Sequence, residues 1–317
     1  MEPKKLIVTA SPHLVDNSST RGLMLHVVIA LCPALIASAL LFGIRALVVV
    51  AVSVAACVGF EALWCVLRKQ PLSTGDLSAV VTGIILAFNL PATIPLWTIL
   101  VGAFIAIVIV KQLFGGLGMN FANPALVGRI ALFLGFSARM TAYGYPARTT
   151  VDAFASATPL AAGVPGLQAL PSLLLGTHGG MLGETCAAAL ILGGVYLIAT
   201  RTISAAIPVT YLATVAVMSL LCGQDVVLQL FSGGLLLGAF FMATDYVTSP
   251  FTLKGKIVFG IGLGLITSVI RFYSNMSEGV SFALLLMNLL VPYINDLTRQ
   301  KPLGAPKKTR GKGGAAK

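Results

Sequence analysis

Charge is what this chain most lacks. Asp, Glu, Lys and Arg make up 10% of its 317 residues, hydrophobic residues make up 57%, and the mean hydropathy is +0.95. Soluble domains carry about 25% charged residues, so the composition excludes one and describes an integral membrane protein. Acids are scarcer than bases, at 10 Asp and Glu against 21 Lys and Arg. There are 3 histidines, and the 5 cysteines (Cys32, Cys57, Cys65, Cys186, Cys222) lie singly in apolar segments with no CxxC. A zinc or iron–sulfur site is therefore not expected, and the cysteines read as small buried hydrophobes.

A net charge of +11 invites a nucleic-acid reading, which its distribution argues against. Most of the Lys and Arg fall in the two termini and in alternate loops, the pattern that orients a membrane protein. The tail Lys307-Lys308-Thr309-Arg310-Gly311-Lys312 reads as a solvated end that also reaches anionic lipid headgroups.

A spanning helix needs about 20 apolar residues. Ten segments qualify or come close: 22–42, 46–67, 77–90, 95–113, 123–137, 182–200, 203–221, 227–243, 255–273 and 279–296. The third, fifth and eighth are short or interrupted by glycine. Met1–Asn17 is polar and precedes a full-length apolar run, so a retained first helix is expected and a cleaved leader is not. An even number of spans puts both termini on one side, and their lysines make it the cytoplasm of a bacterial or archaeal plasma membrane. Arg68-Lys69, Lys111, Arg201, Lys254 and Lys256 then fall inside, and Arg45, Arg139, Arg148 and Arg271 outside. The expected division is an N-terminal segment 1–21, a first membrane repeat 22–137, an outer loop 138–181, a second repeat 182–296 and a basic tail 297–317.

The repeat rests on two parallel passages. GIILAFNLP from Gly83 leads through an apolar helix to Lys111 and then GGLGMNFANP. GAFFMATDYVTSP from Gly238 leads through another helix to Arg271 and then EGVSFALLLMN. Five spans per half is odd, so the halves face opposite ways. The expected fold is all-α and polytopic, about ten transmembrane helices in two inverted five-helix repeats with broken helices near the midplane.

Asn123-Pro124-Ala125 spells the tripeptide of water channels, but the second half offers only MNLLVPYIND. A helix start explains it more simply, with Asn120 or Asn123 as cap and Pro124 in the first turn. Arg129 lies inside the fifth segment, where a cation needs a partner, and Asp245 at the end of the eighth is its counterpart in the other half. Arg129, Asn120 and Asn123 are candidate cofactor contacts, and Asp245 is the candidate for an ion path. For Arg129 the alternative is a helix-end residue snorkelling to the interface. Glu61 is spaced to pair with Trp64 and Arg68 on one helix face.

VDAFASATPL, residues 151–160, lies in the outer loop. Pro159 pushes Thr158 toward extended geometry, and Ala155, Ser156 and Ala157 leave its hydroxyl accessible. Asp152 is the only acid between residues 77 and 183. An exposed nucleophile, small flanks and a charged handle suit a site modified by a separate enzyme, since no base stands ready to activate the threonine.

Asp152 followed by Ser156-Ala157-Thr158 resembles the D-x-x-[ST]-G-[AS]-T type of flavinylation motif, whose threonine carries FMN through a phosphoester bond. The departures are Ala155, where the motif favours Ser or Thr, and Ser156, where it favours Gly. The SATPL ending, GGLGMNFANPALVGR, GAFFMATDYVTSP and the late MN resemble one family, that of the D subunit of the Rnf electron-transport complex and the B subunit of sodium-pumping NADH:quinone reductase. The resemblance covers roughly residues 5–300, and the length is nearer the former.

The resemblance implies a urea-channel-like inverted repeat, covalent FMN at Thr158 and a further non-covalent riboflavin. It implies a redox-driven translocase of Na⁺ or H⁺ acting between ferredoxin and NAD, with no complete active site of its own in this chain. Implied partners are other Rnf subunits, including a second FMN-bearing one on the outer face, and a flavin transferase during maturation. Arg139, Arg148 and Tyr143 share the outer loop and stand as FMN contacts or interface anchors. The competing reading is a flavin-free channel or solute transporter on the same architecture.

Overall fold

The computed structural model describes residues 19–143, 166–274 and 279–299, and among these the chain is helical with no β-strand. Its helices are α1 (Thr20–Phe42), α2 (Ile44–Leu67), α3 (Ser78–Phe88), α4 (Leu96–Phe104), α5 (Pro124–Gly135), α6 (Ser137–Met140), α7 (Gly166–Leu175), α8 (Ala187–Ala199), α9 (Ala206–Leu221), α10 (Val226–Phe231), α11 (Leu235–Leu237), α12 (Leu253–Tyr273) and α13 (Gly279–Thr298). α4 continues as a π-helix over Ile105–Gln112, and α11 as another over Gly238–Met242. The chain is a multi-pass membrane protein. α1, α2, α12 and α13 are long and apolar enough to cross a bilayer, and shorter apolar helices pack among them. Each of the ten apolar segments carries helix, but the eighth is broken into α10, α11 and a π turn.

Local chemistry sets the breaks. Ser19 caps α1 by accepting the Gly22 N–H at 3.1 Å, and Gly43, at φ +71°, turns the chain directly into α2. α3 ends at Asn89, beyond which its last carbonyls lack helical partners. The segment before α8 supplies them: Gly183 N–H donates to the Phe88 carbonyl at 2.9 Å and Leu182 N–H to the Leu90 carbonyl at 3.0 Å. This corrects the expected span 182–200. Residues 182–186 are not helical, and the N–H groups of Leu182 and Gly183 serve the broken end of α3.

Three charged residues also differ from expectation. Lys111 and Arg271, read as loop cations, are both buried. Arg271 donates to the carbonyls of Gln229, Ser232 and Gly233, closing the break between α10 and α11. Glu61 is buried and faces Lys111, while Arg68 alone lies over the Trp64 ring, 5.4 Å from its centroid. Helix-face spacing on α2 gave Glu61 the wrong partner, because a fully buried carboxylate requires a full charge opposite it.

Candidate functional site

The NFANP stretch folds as its chemistry requires. Asn123 is the N-cap of α5, its side-chain oxygen accepting the N–H groups of Ala125 at 3.1 Å and Leu126 at 3.3 Å, with Pro124 in the first turn. Asn120 folds back instead, donating to the Ala122 carbonyl at 3.0 Å. Asn288, from the late MN, has its side-chain amide oriented to accept the Asn123 N–H at 3.3 Å and to donate to the Thr248 carbonyl at 3.2 Å.

Asn120 and Asn123 line a cavity of about 730 Å³, counted out to its open mouth. Asp245 lines it too, so three residues singled out from the sequence converge on one space. Elements from both parts of the chain wall it: α1, α3, the turn after α4, α8 and the π turn that follows α11. Phe240 and Phe241 supply aromatic surface, and Ser78, Thr82 and Thr244 supply hydroxyls. The Asp245 carboxylate accepts from Thr248 Oγ1 at 3.1 Å and from the Val247 N–H at 3.5 Å.

The cavity's cation is Lys111, which the sequence reading placed in a loop. Its Nζ lies 2.9 and 2.8 Å from the two carboxylate oxygens of Glu61 and 2.6 Å from Ser78 Oγ. These three contacts use all three ammonium donors. Ser73 donates to Glu61 at 2.6 Å, and Ser78 Oγ donates to Asp76 at 2.6 Å. The one sequence signal for this network was a single lysine inside the apolar run IVIVKQLF, with Glu61 similarly alone in α2.

Arg129 is not part of this wall. It is buried in α5 and donates to Ser281 of α13 at 2.5 Å. Nearby, the Glu184 carboxylate accepts the Gly234 N–H at 2.5 Å, at the start of α11. Asp245 lines the cavity and Arg129 does not, so the two stand at different places. Arg139 lies over the Trp97 ring, 5.2 Å from its centroid, which fits anchoring. Asp152, Ser156, Ala157, Thr158 and Arg148 lie outside the described residues.

A buried amide pair, a carboxylate, a lysine and aromatic surface thus share one cavity between apolar helices. The comparisons give it a lineage. The family model described as the NQR2, RnfD, RnfE family matches residues 7–304. The chain is 47% identical over 315 residues to the D subunit of the Na(+)-translocating ferredoxin:NAD(+) oxidoreductase complex of Acetobacterium woodii, covering 97% of this chain and 98% of that one. It is 39% identical to the D subunit of the proton-translocating ferredoxin:NAD(+) oxidoreductase complex of Clostridium ljungdahlii, covering 94% and 96%. With the D subunit of the ion-translocating oxidoreductase complex of Stutzerimonas stutzeri it shares 37%, covering 93% and 95%. On matches that run from end to end and take in the residues around this cavity, the chain belongs to the NQR2, RnfD, RnfE family.

Proposed function

We propose that this chain is the D-type membrane component of an ion-translocating ferredoxin:NAD oxidoreductase complex, carrying FMN covalently at Thr158 and coupling electron transfer to movement of Na⁺ or H⁺. The observation that carries it is the convergence of Asn120, Asn123, Asp245 and Lys111 on one cavity in a chain so similar to subunits of that name. One of those relatives is named for sodium and the other for protons, so membership alone does not choose the ion. Other subunits of the complex are the implied partners.

The cavity suits a second, non-covalent flavin. A flat ring with polar edges matches its aromatic walls bordered by Asn120, Asn123 and hydroxyls. A bound flavin supplies one- and two-electron chemistry. The chain's part is to hold the ring, exclude water with Phe240 and Phe241, and set the local charge through Lys111 and Asp245. Asp245 remains the candidate on the ion path.

Packing supports two inverted five-helix halves. α1 packs on α8 and α5 on α13, the pairs that a twofold relation between halves would bring together. Lys111 and Arg271 each end the fourth helix of their half and each reach toward the start of its short helix. Asn89 ends the first short helix and lies 3.8 Å from Met242, in the second.

The test is ultraviolet fluorescence of the denatured chain on a gel, wild type beside Thr158→Ala, each co-expressed with a flavin transferase. A bright wild type and a dark variant support covalent FMN at Thr158. Two dark bands would bring forward the flavin-free channel or transporter.

A further inference from the structure

A second cavity, of about 930 Å³ with its open space included, adjoins the first. Ile203, Thr244 and Tyr246 line both and form the wall between them. The second differs in kind. Arg201 and Lys256 bring charge, Thr202, Ser204 and Ser249 bring hydroxyls, and no acidic side chain lines it. Arg201 follows the end of α8, and Lys256 lies in the first turn of α12. Neither side chain has an ion pair or a hydrogen bond to another described residue.

The backbone at Arg201 is a separate observation. Its φ is +55°, in the left-handed region that glycine favours. The Arg201 N–H donates to the Ile198 carbonyl and the Thr202 N–H to the Leu197 carbonyl, both at 3.0 Å, a helix ending that usually places glycine here. The Tyr246 hydroxyl then holds the Thr202 carbonyl. A cation gains from a helix C-terminus, and Lys69 ends α2 in the same way, at φ +54°. That gain does not account for a second cation, from a different helix, in the same cavity. Two like charges in one cavity repel, and an anion between them reverses the sign.

We propose that Arg201 and Lys256 bind the phosphate of an anionic phospholipid headgroup, with the hydroxyls of Ser204 and Ser249 completing its contacts. The lipid source follows from position. The cavity lies where α8 ends and α9 and α12 begin, and the turns after Lys256 expose Ile257, Val258 and Ile261, an apolar surface for acyl chains. Basic pockets at the ends of membrane helices select such headgroups. The site is independent of any flavin.

The experiment takes the full-length chain, depleted of lipid in detergent, and reads thermal unfolding with dioleoylphosphatidylglycerol, dioleoylphosphatidylcholine or inorganic phosphate added. Phosphatidylglycerol raises the midpoint of the wild type more than phosphatidylcholine does, and Arg201→Gln/Lys256→Gln loses at least half of that difference. Arg68→Gln/Lys69→Gln, which removes a similar basic helix end, retains it. Phosphorus analysis of the protein before depletion finds less bound phosphate in Arg201→Gln/Lys256→Gln than in the wild type. Equal responses to the two lipids, or an unchanged difference in the Arg201→Gln/Lys256→Gln protein, overturn the site. A shift by inorganic phosphate as large as that by phosphatidylglycerol, and lost in the same variant, overturns the lipid assignment.

Discussion

Lys111 and Glu61 meet inside the bundle at 2.8 Å, both almost completely buried and 50 residues apart in sequence. Removing one partner of such a pair strands the other charge, at a cost of about 3–5 kcal/mol. Glu61→Gln and Lys111→Met are each expected to destabilise the protein by that order. Glu61→Met/Lys111→Met is expected to cost less than either alone. Thermal unfolding of the three variants in detergent gives the comparison, and a double variant worse than both singles would contradict the pairing.

Asn123→Ala removes the cap of α5, worth about 1 kcal/mol, and Asn123→Asp retains it. If the cavity holds a flavin, the alanine variant also retains less non-covalent flavin after purification. Flavin extracted from the protein in acid, quantified by fluorescence, measures this.

Asp245 lines the cavity but does not carry electrons, so Asp245→Asn is expected to uncouple. Electron transfer persists while translocation falls at least severalfold, read as ion uptake into vesicles per electron delivered. A variant that translocates normally removes Asp245 from the path.

Gly193 faces backbone. A Cβ there would collide with the Ala30 carbonyl oxygen of α1, which no rotamer change relieves. Gly193→Ala is expected to cost more than the roughly 1–3 kcal/mol of ordinary overpacking. Gly59→Ala, with nothing within 4 Å of its added carbon, is the tolerated control, and relative yields of folded protein by size-exclusion chromatography separate the two.

Two groups outside the spans set an acid limit. The Gly166 N–H, with those of Leu228 and Val227, holds the Asp225 carboxyl below its ordinary 3.8. Its stabilisation is complete above that value and is lost as pH falls through the lower, folded one. Burial holds His178 below its ordinary 6.5, so as pH drops below 6.5 the unfolded chain takes a proton that the folded chain refuses. Stability is therefore expected to decline first below pH 6.5 and again below about pH 4. In melting curves, His178→Gln flattens the first decline and Asp225→Asn the second.

The membrane helices were legible because each carries a long apolar run, and Asn123-Pro124 announced its own cap, whereas α7 forms within the stretch read as an outer loop. The partners of buried charge were not. A count of loop cations treats Lys111 and Arg271 as solvated, yet one meets a carboxylate on a distant helix and the other meets backbone carbonyls. The start of α8 was misjudged for a related reason. The apolar run there begins at Leu182, but the N–H groups of Leu182 and Gly183 are claimed by the open end of α3, which is visible only once the chain is folded.

The π-helix at Ile105–Gln112 makes the Lys111–Glu61 contact a question of phase. A π turn accommodates one residue more than an α turn, and each residue of an α-helix advances the direction of a side chain by about 100°. Deleting one residue between Ile105 and Val110 would take out the extra residue and leave Lys111 in phase, whereas relaxation of the intact sequence to α would turn Lys111 away from Glu61 by about that angle. The cavity would keep every polar group it has and lose the alignment of its cation.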